Sequence, residues 1–237
     1  MVIRRLLQTR KADANLPDEI RAALIDSLFA PLVSLIVGAI ACSIIGGAVA
    51  LRVGNDALMA VSLAILTVGM MRVVSAVLYK KYKQSGNARA IRFWERIYEY
   101  GAWAFAALLG LLCWMTITQT EDATLQMAVS TTAAGYGAAI SGRNAGRPLI
   151  AIGQLMLSTL PMAIALVTYP DWVHRSLGFV VLLFIYGTMD ITLSIRDIII
   201  QALTMQLSGT LAFHHGDGGS GALVTIRCPI EGSSAAI

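Results

Sequence analysis

Residues 29–51 read FAPLVSLIVGAIACSIIGGAVAL, with no Asp, Glu, Lys, Arg or His anywhere in the run. A helix needs about 20 largely apolar residues to cross the hydrocarbon of a bilayer, and this stretch supplies them. Working outward, comparable apolar stretches follow at 57–79, 98–119, 124–141, 148–169 and 174–195. The pattern predicts an all-α integral membrane protein with six transmembrane helices. The fourth stretch is short and rich in Ser, Thr and Gly; without it the topology changes parity. Composition agrees with a membrane class. Hydrophobic residues make up 57% of the 237 and charged residues 14%, with mean hydropathy +0.70, whereas soluble domains sit near a quarter charged.

The basic residues then orient the bundle. With the N-terminus inside, the cytoplasmic side holds Arg4, Arg5, Arg10, Lys11, Arg21, Lys80, Lys81, Lys83, Arg89, Arg92, Arg96, Arg143, Arg147, Arg196 and Arg227; the outside holds Arg52 and Arg175. Basic residues are retained on the cytoplasmic side of short loops. The asymmetry therefore predicts a multi-pass protein of the bacterial inner membrane with both termini cytoplasmic. It also accounts for the net charge of +4 without a nucleic-acid partner; the lipid bilayer is the partner the charges indicate. No secretory signal peptide is expected, since Arg4 and Arg5 lead into polar residues.

Residues 1–28 read as a cytoplasmic arm, its 17–29 stretch forming an amphipathic helix on the inner leaflet with Ile20, Leu24 and Leu28 at helical spacing. The basic 80–96 loop is expected to run as a helix into the third span. Phe93, Trp94, Tyr98, Tyr100 and Trp103 read as an interfacial aromatic cluster. Small residues at four-residue spacing mark helix-packing faces: Gly38 and Gly46 in span one, Ala106 and Gly110 in span three, Gly137 in span four. Packing within one bundle and a dimer face both remain open for them. Pro161 interrupts span five and frees a backbone carbonyl.

Ionisable groups within spans are expensive and are ligand or signalling candidates by default. Arg72 and Asp190 qualify, with Arg196 near the inner end of span six. Arg72 and Asp190 are placed for an ion pair between helices; a ligand role and an ion path are the alternatives. Beyond the membrane domain (29–195), residues 196–206 read as a signalling-helix-like linker. Ile191, Ile195, Ile198, Ala202 and Met205 are spaced 4, 3, 4 and 3, the period of a two-helix coil. The three cysteines, 42, 113 and 228, have no metal or disulfide spacing. No metal, cofactor or catalytic residue is predicted.

The stretches IDSLFAPLVSLIVGAI (25–40), AAISGRNAGRPLIAIGQ (138–154), PDWVHRSLGF (170–179) and LFIYGTMDITLSIRD (183–197) carry a resemblance over about 18–205. That region resembles the membrane-spanning input region of bacterial cyclic-di-GMP signalling proteins, in which a helical bundle precedes PAS, GGDEF and EAL domains. No GGDEF or EAL string follows here. The tail at 207–237 resembles something else. MQLSGTLAFHHGDGGSGALVTIRCPIEG (205–232) is similar to the closing strands of the ATP-binding domain of sensor histidine kinases, and its alternation predicts a β-hairpin around GDGGSG. The kinase phosphoacceptor segment has no counterpart. Together the resemblances imply a membrane-embedded sensory or anchoring module of a signal-transduction protein, without a complete catalytic domain. Homo-oligomerisation, or association with related signalling proteins, would give it an output. A small-molecule or ion transporter and a truncated sensor histidine kinase are the alternatives.

Overall fold

A computed structural model describes residues 18–30, 32–82 and 88–209. The predicted hairpin of 207–237 lies outside the described residues beyond Gly209. Among the described residues every element is a helix: α1 Asp18–Phe29, α2 Leu32–Val53, α3 Asp56–Tyr82, α4 Ala88–Gln119, α5 Ala123–Arg143, α6 Pro148–Thr168 and α7 Trp172–Gly209. The chain divides into two compact units, 1–196 and 197–237. The first holds the helical bundle; of the second, the described part is the end of α7.

Local chemistry sets the helix limits. Gly54 adopts φ +68° and its N–H bonds the Ala50 carbonyl at 2.9 Å, closing α2 in the left-handed conformation that glycine adopts without strain. Asn55 Oδ1 then accepts the Ala57 N–H at 2.8 Å, opening α3. Asp122 caps α5 by accepting from Thr124 N at 2.9 Å. Pro148 opens α6, where a missing N–H is harmless.

Among the described residues, five helical segments are long and apolar enough to cross a membrane: Leu32–Val53, Asp56–Tyr82, Arg92–Gln119, Pro148–Thr168 and Trp172–Met205. The predicted fourth span forms a helix, α5, but falls short in apolarity. Ser130, Thr131, Thr132, Ser141 and four interspersed glycine and tyrosine positions dilute it. Large apolar side chains left outside the bundle, such as Val33, Ile44, Met71 and Leu183, form the surface a bilayer would cover. These features make the chain a multi-pass membrane protein by length and composition.

The helices run between two ends. At one end, Asn55 Nδ2 donates to Gln119 Oε1 at 2.9 Å and Gln126 Nε2 donates to the Thr120 carbonyl at 2.7 Å, gathering the α2–α3 and α4–α5 turns. At the other, Tyr98 on α4 bonds Asn144 of the α5–α6 turn at 3.0 Å, and Glu95 on α4 pairs with Arg147 of the same turn. Thus α5 starts at the first end and stops at the second.

α4 and α6 pack along each other at the centre, α2 packs along α3, and α5 packs on α6. The α4–α6 approach is tight at Gly110. Pro161 removes the N–H that would bond Leu157 O, four residues earlier. A Cβ on Gly110 would run into that same carbonyl oxygen and would lie 3.1 Å from Pro161 Cγ. Gly46 and Gly137 also sit at close approaches. A Cβ added to Gly46 would lie 2.8 Å from Ser62 Oγ, and one added to Gly137 would lie 2.9 Å from Leu155 Cδ1. Ala106 is fully buried. Gly38 differs: nothing lies within 4 Å of where its Cβ would be.

Two expectations change. α1 does not offer its apolar face to lipid. Ile25, Leu28 and Phe29 join a buried cluster with Tyr79, Tyr98 and Ile150, and Phe29 stacks on Tyr79 with ring centroids 4.1 Å apart. Two aromatic rings flank that site, so docking on the bundle buries the face more completely than an interface would. The expected aromatic belt is likewise divided. Phe93 and Tyr100 point outward, but Tyr98 is buried, Trp94 packs edge-on to Phe29 and Tyr79, and Trp103 lies over Gly153.

Replacing Gly110 with Ala is expected to lower stability by about 1–3 kcal/mol through overpacking against Leu157. Gly47→Ala, whose methyl meets nothing within 4 Å, should instead be neutral or stabilise by up to about 1 kcal/mol. Unfolding of both variants in mild detergent checks the difference in sign.

Candidate functional site

The bundle holds two buried polar groupings near the α3–α4 and α5–α6 turns, and they obey different rules. The first is a chain of hydrogen bonds through four side chains. Tyr98 Oη donates to Asn144 Oδ1 at 3.0 Å, Asn144 Nδ2 donates to Gln154 Oε1 at 2.5 Å, and Gln154 Nε2 donates to Tyr136 Oη at 2.7 Å. Asn144 and Gln154 are wholly buried. Arg143 borders this chain, with Nη2 3.4 Å from Tyr98 Oη and Nη1 donating to Ser34 Oγ on α2 at 3.2 Å. Every amide in the chain has a partner, as a low-dielectric interior demands.

The second grouping centres on Arg72. Its side chain is 7% exposed. The stem crosses α4 at Gly101, where a Cβ would sit 3.2 Å from Arg72 Cγ. The guanidinium carbon lies 5.3 Å from the Phe105 ring centroid and 5.7 Å from that of Tyr98. Its Nε and Nη2 are buried and have no hydrogen-bond partner among the described residues. Taking such an ion out of water costs several kcal/mol, while a desolvated cation–π contact returns about 2 kcal/mol. The rings alone do not balance the charge.

Arg72 and Arg143 line one cavity of about 350 Å³ between α2, α4 and α5. Phe105, Leu35 and Ile140 supply apolar wall, and no carboxylate of the described residues lines it. Neither Asp190 nor Arg196 borders this cavity. Asp190 sits at an exposed position on α7, and Arg196 is buried one and a half turns further along. The contacts of Arg72 are with α4 aromatic rings rather than with Asp190, so the three candidates do not form one site. Of the α7 seam, Ile191, Ile198 and Met205 are 56%, 65% and 72% exposed. Tyr98 was expected in an interfacial aromatic cluster and Arg143 as a cytoplasmic charge, while Asn144 and Gln154 were not singled out from the sequence. A signal for them existed: a Gln inside an apolar span, and the polar run SGRN at the end of a helix.

The opposite end carries a smaller polar contact. His174 Nδ1 lies 3.0 Å from Asp171 Oδ2 and its Nε2 lies 3.0 Å from Gln126 Oε1. Gln126 spends its amide hydrogens on backbone carbonyls of Thr120 and Ile117, which leaves Oε1 as the acceptor toward the ring. Both N–H groups of a protonated imidazole are therefore satisfied. Next to it, a cavity of about 400 Å³ between α5, α6 and α7 is almost wholly apolar.

No protein-family model, curated protein or solved structure matches the chain. The site therefore has to be read from its own chemistry.

Asn144→Ala leaves the Tyr98 hydroxyl and the Gln154 amide short of partners, and thermal unfolding should show a loss of about 1–3 kcal/mol. At the other end, the hydrogen bond from His174 holds the exposed Asp171 carboxyl below its ordinary range. A lowered carboxyl stabilises the folded turn above its unfolded pKa of about 3.9, and that contribution disappears as pH falls through the lowered folded value. In His174→Ala, an NMR titration of Asp171 should return to the ordinary range.

Proposed function

We propose that this chain is a membrane-embedded sensory and anchoring module of a bacterial signal-transduction protein, crossing the inner membrane six times with both termini cytoplasmic. Its output runs along α7 to partner chains rather than through catalysis of its own. The observation that carries this reading is α7 itself. It continues unbroken for 38 residues, about 57 Å of helix against about 30 Å of hydrocarbon. The seam Ile191, Ile195, Ile198, Ala202 and Met205 keeps the 3.5-residue period along it, with its outer members exposed in the single chain. An apolar seam at that spacing suits a second helix of the same kind, and a rotated or separated helix pair is a physical output.

Six spans are supported by α5. Its 21 residues amount to about 31 Å, and it joins the same two ends as its apolar neighbours. A polar helix is tolerated there because Gln126, Val129, Ala133, Gly137 and Ile140 turn into the bundle. The inside orientation of the termini is supported by charge. Lys80, Lys81, Arg143 and Arg147 lie at the end that also receives α1, against Arg52 and Arg175 at the other. The two sequence resemblances point the same way, toward signalling. The kinase alternative rests on a tail outside the described residues, and the transporter alternative on a cavity joining Arg72, Asp190 and Pro161. Of those three, only Arg72 lines the cavity beside it.

Cysteine cross-linking of the chain in native-lipid nanodiscs tests the reading. Ile198→Cys and Met205→Cys should give disulfide-linked dimers, while off-seam Ile199→Cys should give few. A strictly monomeric chain, or cross-linking without the seam's period, would remove the basis for the proposal.

A further inference from the structure

We infer that the cavity between α2, α4 and α5 binds an amphiphilic oxyanion: a carboxylate or phosphate group held by Arg72 and Arg143, with an apolar tail leaving between α2 and α5 toward the bilayer. Binding of this ligand is independent of the signalling role proposed above.

The head group is specified by charge. Arg72 lines the cavity, is more than nine-tenths buried, and has two guanidinium nitrogens without a partner among the described residues. Arg143 enters the same cavity from the end of α5, its own nitrogens bonded to Ser34, Tyr98 and Asn144. Among the described residues no Asp or Glu borders the space. Two arginines lining one cavity suit a planar or tetrahedral oxyanion, whose oxygens match the donor fork of arginine. Ser34 and Thr131 also border the space, and the Ser34 hydroxyl, which accepts from Arg143, keeps its own hydrogen for a second oxygen. The aromatic faces of Tyr98 and Phe105 hold the Arg72 guanidinium in place, so little ordering remains to be done on binding.

The tail is specified by the walls and by two glycines. Leu35, Ala39, Phe105 and Ile140 are among the remaining lining residues. Gly38 on α2 and Gly135 on α5 both border the cavity, and a Cβ on either would meet nothing within 4 Å. Val37, beside Gly38, borders the cavity and is 58% exposed on the outer surface. Helices usually meet at their small residues in membranes. Here two glycines stand on either side of an opening instead, and that opening faces the side a bilayer would occupy. A free inorganic anion would have no use for such a lateral apolar gap.

The test uses the full chain in zwitterionic phosphatidylcholine nanodiscs. Three probes are added separately: dodecanoate, phosphatidylglycerol incorporated in the disc, and inorganic phosphate. Binding is read by native mass spectrometry and by the shift in melting temperature. Saturable binding of dodecanoate identifies a free fatty-acid source, and retention of phosphatidylglycerol through delipidation identifies a lipid source; either supports the site. In both cases Arg72→Gln should weaken binding about 10- to 100-fold, as expected for losing a charge-assisted hydrogen bond. Gly135→Leu, which fills open space, should weaken it without lowering the stability of the ligand-free chain. Arg72→Met should melt at or above the wild-type temperature when no probe is present, because it removes a buried charge. Inorganic phosphate binding as well as the amphiphiles would overturn the lateral tail path. Equal binding by wild type and Arg72→Gln, or no binding by any probe, would overturn the site.

Discussion

The distance between α4 and α6 governs much of the interior, and one carbonyl sets it. Pro161 cannot donate to Leu157 O, and that oxygen faces Gly110 at a separation no Cβ tolerates. The two central helices can therefore lie almost backbone to backbone. Their closeness brings Tyr98, twelve residues before Gly110 on α4, within reach of Asn144 in the turn that begins α6, and it lets Trp103 pack against Gly153. A larger residue at position 110 would push the helices apart and lengthen each of these contacts together. A proline that would weaken an isolated helix thus fixes the spacing of the pair, provided a glycine faces it.

Charge divides the molecule along its length. The end that receives α1 carries most of the described basic residues, along with Asp26, which accepts from Tyr79, and Glu95, which pairs with Arg147. These carboxylates tie α1, α3, α4 and the α5–α6 turn into one compact cap. The other end relies on neutral amides and on the His174–Asp171 contact. The cap explains why α1 docks. Its Leu24 fills the space above Gly146, where a Cβ would lie 2.9 Å from Leu24 Cδ2. A helix with that much complementary surface gains more from the bundle than from an interfacial position, where one flank stays wet.

The helices themselves were legible because apolar length is a one-dimensional signal. The runs at 29–51, 57–79 and 148–169 differ from α2, α3 and α6 by at most three residues at either end. The fourth run was legible as a helix but not as a span by composition, since its Thr and Ser hydroxyls fold back on their own helix, as Thr132 does onto the Ala128 carbonyl at 2.8 Å, and hydropathy counts them as polar. The site was less legible. Arg72 stands out in the sequence as a charge within a span, but its neighbours come from three other helices and no spacing along the chain encodes them. Asp190 looked like its counter-charge because both lie near the inner ends of their spans. Depth alone does not place two residues on facing sides of two helices, and rotation about each helix axis was decided by packing.

The contrast between the two buried polar groupings separates architecture from binding. Tyr98, Asn144, Gln154 and Tyr136 complete one another's hydrogen bonds, so adding a ligand there would break more than it makes. Such a network fixes the register of α4, α5 and α6. Arg72 follows the reverse logic: it is charged and buried, and among the described residues its guanidinium is held by π faces. A structural role is a poor account of it, because an apolar residue of similar volume would pack on Phe105 and Tyr98 without the desolvation penalty. The two sets touch through Arg143, which bonds the network on one side and borders the cavity on the other. An anion drawn toward Arg72 would also draw on Arg143, and so on the hydroxyl of Tyr98 and the amide of Asn144. Occupancy of the cavity is thereby connected to the contacts that hold α4 against the α5–α6 turn.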